Sequence, residues 1–518
     1  MLYDPKRNLL ILNMQQPHIV TAAIPTARLF QYNGQTLVAV PYNVREVYIL
    51  NSLHIKVQSP IRTQYSWPNS QGYLPYHAQL ETADFLTMHR NAFVLNELGT
   101  GKTLASLWAA DYLMEQGLIN KVLIVAPLST LNRVWGDALW IDFPHRKFEV
   151  LHNPNAKKRI QLLDKDADFY IINFDGTKVI YDELMQRTDI NQFIIDEIAE
   201  YRKVGTDKFD AMRNLRGGRG IWGLTGTPTP NAPTDAFAQC KLVCPENIPT
   251  YFKQFREMTM IKFSEYKWLP KPDALDRVYK VMQPSIRFTR DECYDLPEAV
   301  SIDLEVELSS EQKKAYKEMR KSFYTEFNNG EIVAANEGVK MSKLIQIAAG
   351  VVYDAAGEAQ VLPCKSRLEV LLQTIEQANS KIIVFVPYTV MTHMVEHFLK
   401  SKGYSTARVD GSVSAKARDK IFGDFQASPD PHILIAHPKC MSHGLTLTEA
   451  STIVWYAPYL DSGVVEQANG RIRRAGQKNK QAYVYLQGSE IERRVYKNQR
   501  EKRDLQGTLL EMFETNQL

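Results

Sequence analysis

The chain has 518 residues, 44% of them hydrophobic and 23% charged, and a formal net charge of +4. Such a length exceeds what one hydrophobic core holds and predicts two or three domains of ordinary globular composition. It excludes a collagenous, low-complexity or disulfide-framed chain, and no apolar run approaches the roughly 20 residues that cross a bilayer.

In chain order, the N-terminal "MLYDPKRNLL" has no signal-peptide core, which points to a cytoplasmic protein. "LFQYNGQTLVAV" (29–40) carries Asn33-Gly34 between alternating runs and predicts a hairpin whose turn needs φ > 0 twice. "REVYILNSL" (45–53) follows as an amphipathic helix. The cations Lys6, Arg7, Arg28, Arg45, Lys56 and Arg62 face only Asp4 and Glu46, so residues 1–66 read as a small basic β-β-α module. Short runs rich in Ile, Val and Tyr come next, at 121–127, 168–174, 192–197 and 220–227, and again at 381–388, 432–438, 451–458 and 482–487. Apolar at successive positions, they suit strands buried on both faces of parallel sheets, with crossover helices such as 103–117 and 390–401. The expected fold class is α/β, with lobes at 67–298 and 299–518. Between the two sets the pattern turns helical and charged, and 299–350 reads as a helical linker rather than as sheet. The cysteines at 240, 244, 293, 364 and 440 lack zinc-ligand spacing and read as reduced thiols.

"NELGTGKT" (96–103) follows the apolar "AFVL" and opens a helical pattern, the context of a phosphate-binding loop. Asn96 stands where the G-x-x-x-x-G-K-[ST] pattern has its first glycine. Gly99, Thr100 and Gly101 would turn backbone N–H groups onto the phosphates of ATP, Lys102 would neutralise the β- and γ-phosphates, and Thr103 would hold Mg²⁺. "FIIDE" (193–197) ends an apolar run in two acids. Asp196 suits a water-mediated Mg²⁺ ligand, and Glu197 suits the group that polarises an attacking water. "GLTGTPTPN" (223–231) places hydroxyls and fixed φ angles where a plain turn needs neither.

Taken in order, "NELGTGKT", "LIVAPLSTLNRVW", the acids at 196–197 and "LTGTPTPN" resemble the ATPase motors of helicase superfamily two, Swi/Snf branch. The family's loop reads [AD]-E-x-G-x-G-K-T, so a residue other than glycine at 96 is a family habit. "VDGSVSAKARDKIFGDFQ" (409–426), "HGLTLTEASTIVWYAP" (443–458) and "EQANGRIRRAGQ" (466–477) resemble the later motifs, and the likeness spans about 70–500. It implies two tandem RecA-like lobes with helical insertions, and ATP with Mg²⁺ as cofactors. It further implies that Gln79 of "LPYHAQ" reads adenine, that Gly444 and Gln467 adjoin the nucleotide, and that Thr225, Gly226 and Thr227 couple hydrolysis to movement. Arg471 and Arg474, near one face of a helical turn, would serve as arginine fingers. Two departures stand out: "DEIA" puts Ala199 where the branch has histidine, leaving Glu200, Arg202 or a neighbouring hydroxyl to make the polar link, and "GLTL" puts Thr446 in place of asparagine.

The resemblance also implies a monomer that moves along double-stranded DNA with little strand separation. Ser129, Thr130 and Arg133, then Ser412, Lys416 and Arg418, would grip phosphates without reading sequence. "IPTAR" (24–28), "YNGQ" and "VPY" (40–42) look like a HARP-type module of annealing helicases, which implies branched DNA as partner in replication, recombination or repair. No chromatin-reading appendage is evident, as expected of a bacterial or viral protein, with a nuclear one left open. Two other readings stay open: a strand-separating DNA or RNA helicase of the superfamily, and an ATP-gated DNA clamp with little turnover.

Overall fold

A computed structural model of the chain describes residues 1–501 other than 71, 73, 230–231, 264–267, 294–298, 329–333, 354–357, 379, 442–446, 475–476 and 478. The chain divides into two compact units. The first comprises Met1–Gly226, Ala238–Asn247 and Met282–Thr289; the second comprises Thr227–Phe237, Ile248–Val281 and everything from Arg290.

The first unit opens with β1 (Leu2–Asp4), β2 (Leu9–Asn13), β3 (Arg28–Tyr32) and β4 (Gln35–Pro41), an antiparallel sheet in the order β1-β2-β4-β3. Asn33 and Gly34 turn the expected hairpin at φ 47° and 76°. Helices Pro17–Ala23 and Val44–Ser52 complete a ββαββα module, larger than the β-β-α reading. The two early strands and the first helix are only three to seven residues long, too short for a periodic signal. Leu10, Leu12, Val20, Ile24, Val38, Val40, Val47 and Leu50 form the module's own core. Arg62, counted among the basic residues, pairs with Asp84 and with Glu81 at 2.6 Å on the helix His77–Met88, so its charge is spent inside the unit.

The chain continues through β5 (Asn91–Val94), β6 (Lys121–Ala126), β7 (Phe148–Val150), β8 (Phe169–Asn173), β9 (Ile190–Asp196) and β10 (Gly220–Leu224). A hairpin of β11 (Met260–Lys262) and β12 (Trp268–Pro270) belongs to the second unit, after which β13 (Ser285–Ile286) rejoins the first sheet. That sheet runs β13-β5-β10-β9-β6-β8-β7 with every pair parallel.

In the second unit β14 (Ala299–Glu305), the hairpin of β15 (Val351–Tyr353) and β16 (Ala359–Val361), β17 (Lys381–Phe385), β18 (Thr406–Val409), β19 (Ile433–Ala436), β20 (Ala450–Trp455) and β21 (Gln481–Gln487) follow. The order β14-β21-β20-β17-β19-β18 is again all-parallel. Ile382, Val384 and Val454 enter one core while Ile383, Phe385 and Ile453 enter another, so alternate residues of each strand bury opposite faces. Two RecA-like α/β sheets are therefore present, as expected. One correction concerns 299–305. That stretch is an edge strand rather than the start of a helical linker, and its mostly exposed residues ("AVSIDLE") gave no apolar run to read. The helical character appears only afterwards, in Ser310–Asn328 and Ala334–Ala349. No helix among the described residues is long and apolar enough to cross a membrane.

Candidate active site

The glycine-rich loop leaves β5 and enters the helix Lys102–Glu115. Gly99 and Gly101 take φ of 87° and 81°, a region costly for side-chain-bearing residues. A Cβ at Gly101 would also strike the side-chain amide of Gln79. The buried Thr100 closes the loop by donating its hydroxyl to Glu97 O at 2.9 Å. Asn96 holds three groups together. Its Nδ2 donates to Thr82 Oγ1 at 2.8 Å, its Oδ1 accepts from Phe288 N at 3.0 Å, and its carbonyl accepts from Lys102 Nζ at 2.6 Å. Gln79 is buried, accepts from Tyr76 N at 3.0 Å and packs on the loop. Thr103 sits half-buried in the first turn of the helix.

Two strands away, β9 brings Asp196 and Glu197 to the same edge of the sheet. The neighbouring β10 ends at Leu224, and Thr225 N donates to Val94 O at 3.0 Å, so the ends of β5, β10 and β9 stand side by side. Glu197 adopts φ 57°, ψ 55°, a left-handed conformation unusual for glutamate and characteristic of functional turns. Its Oε1 accepts from Thr225 Oγ1 at 2.7 Å. Burial pushes the Glu197 carboxyl up to about 7, against the opposing pull of Lys102 and the Thr225 hydroxyl. Burial also raises Asp196, opposed by the Trp135 indole, whose Nε1–H donates to Asp196 Oδ2 at 2.9 Å, and by Lys102. Ala199 is buried, Glu200 pairs with Lys208 at 3.1 Å and Arg202 Nη1 donates to Ala199 O at 3.4 Å, while the hydroxyl that meets Glu197 is that of Thr225. Gly226 approaches the loop closely, a Cβ there lying 3.4 Å from Leu98 N, and Thr227 begins the second unit.

The second unit holds the remaining expected residues. The helix Ser462–Asn469 is capped by Asp461, which accepts from Val464 N at 3.2 Å, and it ends before the arginines. Arg471 and Arg474 therefore lie in the turn that follows rather than on the helix. Arg471 is 1% exposed and its carbonyl accepts from Leu447 N at 3.0 Å, while Arg474 is half-buried with Nε donating to Gly470 O at 3.3 Å. Gln467 is buried on the preceding helix. Gly444 and Thr446 lie outside the described residues.

Of the expected phosphate contacts, Ser129, Arg133, Ser412 and Lys416 are exposed. Thr130 is buried, its hydroxyl donating to Pro127 O at 2.9 Å, so it shapes its own turn. Arg418 donates to Asp410 O at 3.0 Å and Ser412 Oγ to Asp410 Oδ1 at 2.6 Å. Burial alone would raise the Asp410 carboxyl, but the Ser412 donors and Arg408 hold it down at about 2. Asp410 and Trp135 were not singled out from the sequence, and Asn96 was noted only as a missing glycine, because each acts through partners far away in the chain or through a local turn without its own signature.

The SNF2-related domain model matches residues 42–373, and the helicase conserved C-terminal domain model matches 366–476. An uncharacterized ATP-dependent helicase of Mycoplasma genitalium is 24% identical over 467 residues, covering 88% of this chain and 44% of the relative. A SWI/SNF-related matrix-associated actin-dependent regulator of chromatin subfamily A-like protein 1 of Xenopus laevis is 23% identical, covering 76% of this chain and 39% of the relative. The chain thus spans less than half the length of these relatives. The solved Sulfolobus solfataricus SWI2/SNF2 ATPase core in complex with dsDNA is 20% identical with a TM-score of 0.39, covering 85% of this chain and 94% of that one. With well over half of its length matched by one family model, the chain belongs to the SNF2-related family.

Proposed function

We propose that the chain is an ATP-driven translocase on double-stranded DNA that remodels branched DNA. The observation that carries the proposal is the meeting, at one edge of the first sheet, of the glycine loop, the Asp196–Glu197 pair and Thr225. Loop N–H groups and Lys102 receive the phosphates, and Gln79, against the loop, reads the adenine. The Thr103 hydroxyl and the Asp196 carboxylate are hard oxygen donors that fit Mg²⁺, with nucleotide phosphates and water filling the remaining positions. Bound there, Mg²⁺ would neutralise charge on the transferring phosphoryl group.

Glu197 accepts the proton of the attacking water, a task matched by a carboxyl whose pKa lies near neutrality. Thr225 ties that carboxylate to Gly226 and Thr227, which pass the state of the nucleotide to the second unit. On the family resemblance, Arg471 and Arg474 would supply cations to the phosphoryl group, a contribution worth roughly 10³–10⁵ in rate in comparable enzymes. Ser129, Arg133, Ser412 and Lys416 hold the duplex by its phosphates, so affinity falls steeply with salt and varies little with sequence. The module at 1–66 directs the protein to forks and four-way junctions.

The test is ATP turnover in the presence of single-stranded, duplex, forked and four-way DNA, and of RNA. Stimulation is expected from duplex and most strongly from branched DNA, with Glu197→Gln lowering turnover by about 10²–10⁴ while nucleotide binding persists. Equal stimulation by single strands or RNA would favour a strand-separating helicase, and binding without turnover would favour a clamp. Either result overturns the proposal.

A further inference from the structure

The segment leaving β6 carries residues on two sides. Leu128–Thr130 is a 3₁₀ turn and Leu131–Gly136 a π turn, in which Asp137 N reaches back to Asn132 O. A π turn inserts one residue into the helical repeat and is common at functional sites. A Cβ at Gly136 would lie 3.3 Å from Leu131 O, so the bulge is tight at that position. Ser129 and Arg133 face outward, while Trp135 is fully buried with its indole N–H on Asp196 Oδ2 at 2.9 Å. The segment arrives there because β6 and β9 are adjacent and parallel, with Val125 paired to Ile195.

A buried tryptophan is ordinarily a packing residue, and Trp135 does belong to the sheet's core. Packing alone does not require the nitrogen to point at a carboxylate. The indole N–H meets the acid proposed to hold Mg²⁺, and it does so two residues after Arg133 on a single turn.

We propose that Trp135 is a positioning residue that links duplex contact at Ser129 and Arg133 to the orientation of the Asp196 carboxylate. Phosphates bound on the outer side of the π turn fix its register, and the indole transmits that register to Asp196 Oδ2. This inference rests on the nucleotide and DNA reading above. By linkage, duplex DNA then tightens binding of Mg²⁺–nucleotide, and Mg²⁺–nucleotide tightens binding of duplex by the same factor.

The experiment uses the full chain and two variants. Trp135→Phe keeps most of the bulk without the N–H. Trp135→His keeps a ring N–H at the equivalent ring position with less bulk. The affinity for a fluorescent ADP analogue is measured with and without Mg²⁺, each with and without a duplex, alongside turnover. Loss of the duplex-induced tightening by about tenfold in the Phe variant, with at least partial recovery in the His variant, is the expected result. A Phe variant that matches the parent protein, or two variants that fail alike with lowered melting temperatures, makes Trp135 a packing residue and overturns the inference. A parent protein that binds neither nucleotide nor duplex instead removes the functional reading itself.

Discussion

Asn96 explains why an amide stands where the loop pattern has a glycine. The Thr82 hydroxyl donates to Ala78 O at 2.6 Å, leaving only its oxygen for Asn96, which therefore has to donate. The other half of the amide accepts from Phe288 N. A carboxylate there sets acceptor against acceptor at a site 1% exposed. Asn96→Asp is expected to lower stability by about 1–3 kcal/mol at pH 8. The loss should shrink near pH 5, where a protonated acid can donate to Thr82, and unfolding curves at the two pH values measure the difference. Asp410 gives the opposite case. Its carboxyl is held at about 2 in the folded chain against an ordinary value near 3.8. A depressed folded value means stability that is complete above roughly pH 4 and lost as pH falls towards about 2. The deficit of Asp410→Asn relative to the parent protein should therefore be largest above pH 4 and fade across that window, as followed by unfolding midpoints at a series of pH values.

Elements of the second unit are tied by one buried ion pair. Arg367, on the helix Lys365–Gln377, meets Glu492 with Nη2 at 2.8 and 3.0 Å, and its Nη1 donates to Tyr456 O and Leu486 O, at the ends of β20 and β21. Glu492 also accepts from Gly488 N, Ser489 N and Ser489 Oγ and so caps the helix Glu490–Arg500. Removing one partner strands the other charge in the core. Glu492→Ala should cost about 3–5 kcal/mol, whereas the double change Arg367→Met with Glu492→Leu should cost much less, as read from denaturant midpoints. Such an element-level link is invisible to local pattern, because 125 residues separate its members. The glycine loop was legible because its signature is local: two glycines at positive φ and a Lys-Thr pair at fixed spacing. The acids at 196–197 were legible because an apolar strand stops there. The end of the motif helix at Asn469 was not legible, nor was Thr130, whose hydroxyl turns back to its own chain when the turn forms. The strand at 299–305 escaped because an edge strand needs little apolar surface to pair.

For the whole molecule, the surface charge of the N-terminal module can be divided by use. Arg62 is committed to Glu81 and Asp84, whereas Lys6, Arg7, Arg28, Arg45 and Lys56 are exposed. Arg45→Glu with Lys56→Glu should lower stimulation by forked and four-way DNA several-fold while leaving stimulation by linear duplex nearly intact. Steady-state ATPase titrations with each DNA would reveal the difference, and an equal loss on both would assign these cations to general duplex affinity. These charge changes are preferable to deleting the module, because Ser59 and Arg62 bond into the helix His77–Met88 and their removal would open the first unit.

The placement of β14 also has a consequence for synthesis. Among the described residues its one neighbour in the sheet is β21, which the ribosome delivers roughly 180 residues later. At ~5–20 residues per second the strand waits roughly 10–40 s with its hydrogen-bonding edge open. Arg493 and Arg500, which clasp Glu305 and Asp303 across that junction, emerge later still. A nascent chain stalled before Gln481 would therefore carry an unpartnered strand near its middle, vulnerable to proteases and attractive to chaperones, until translation resumes.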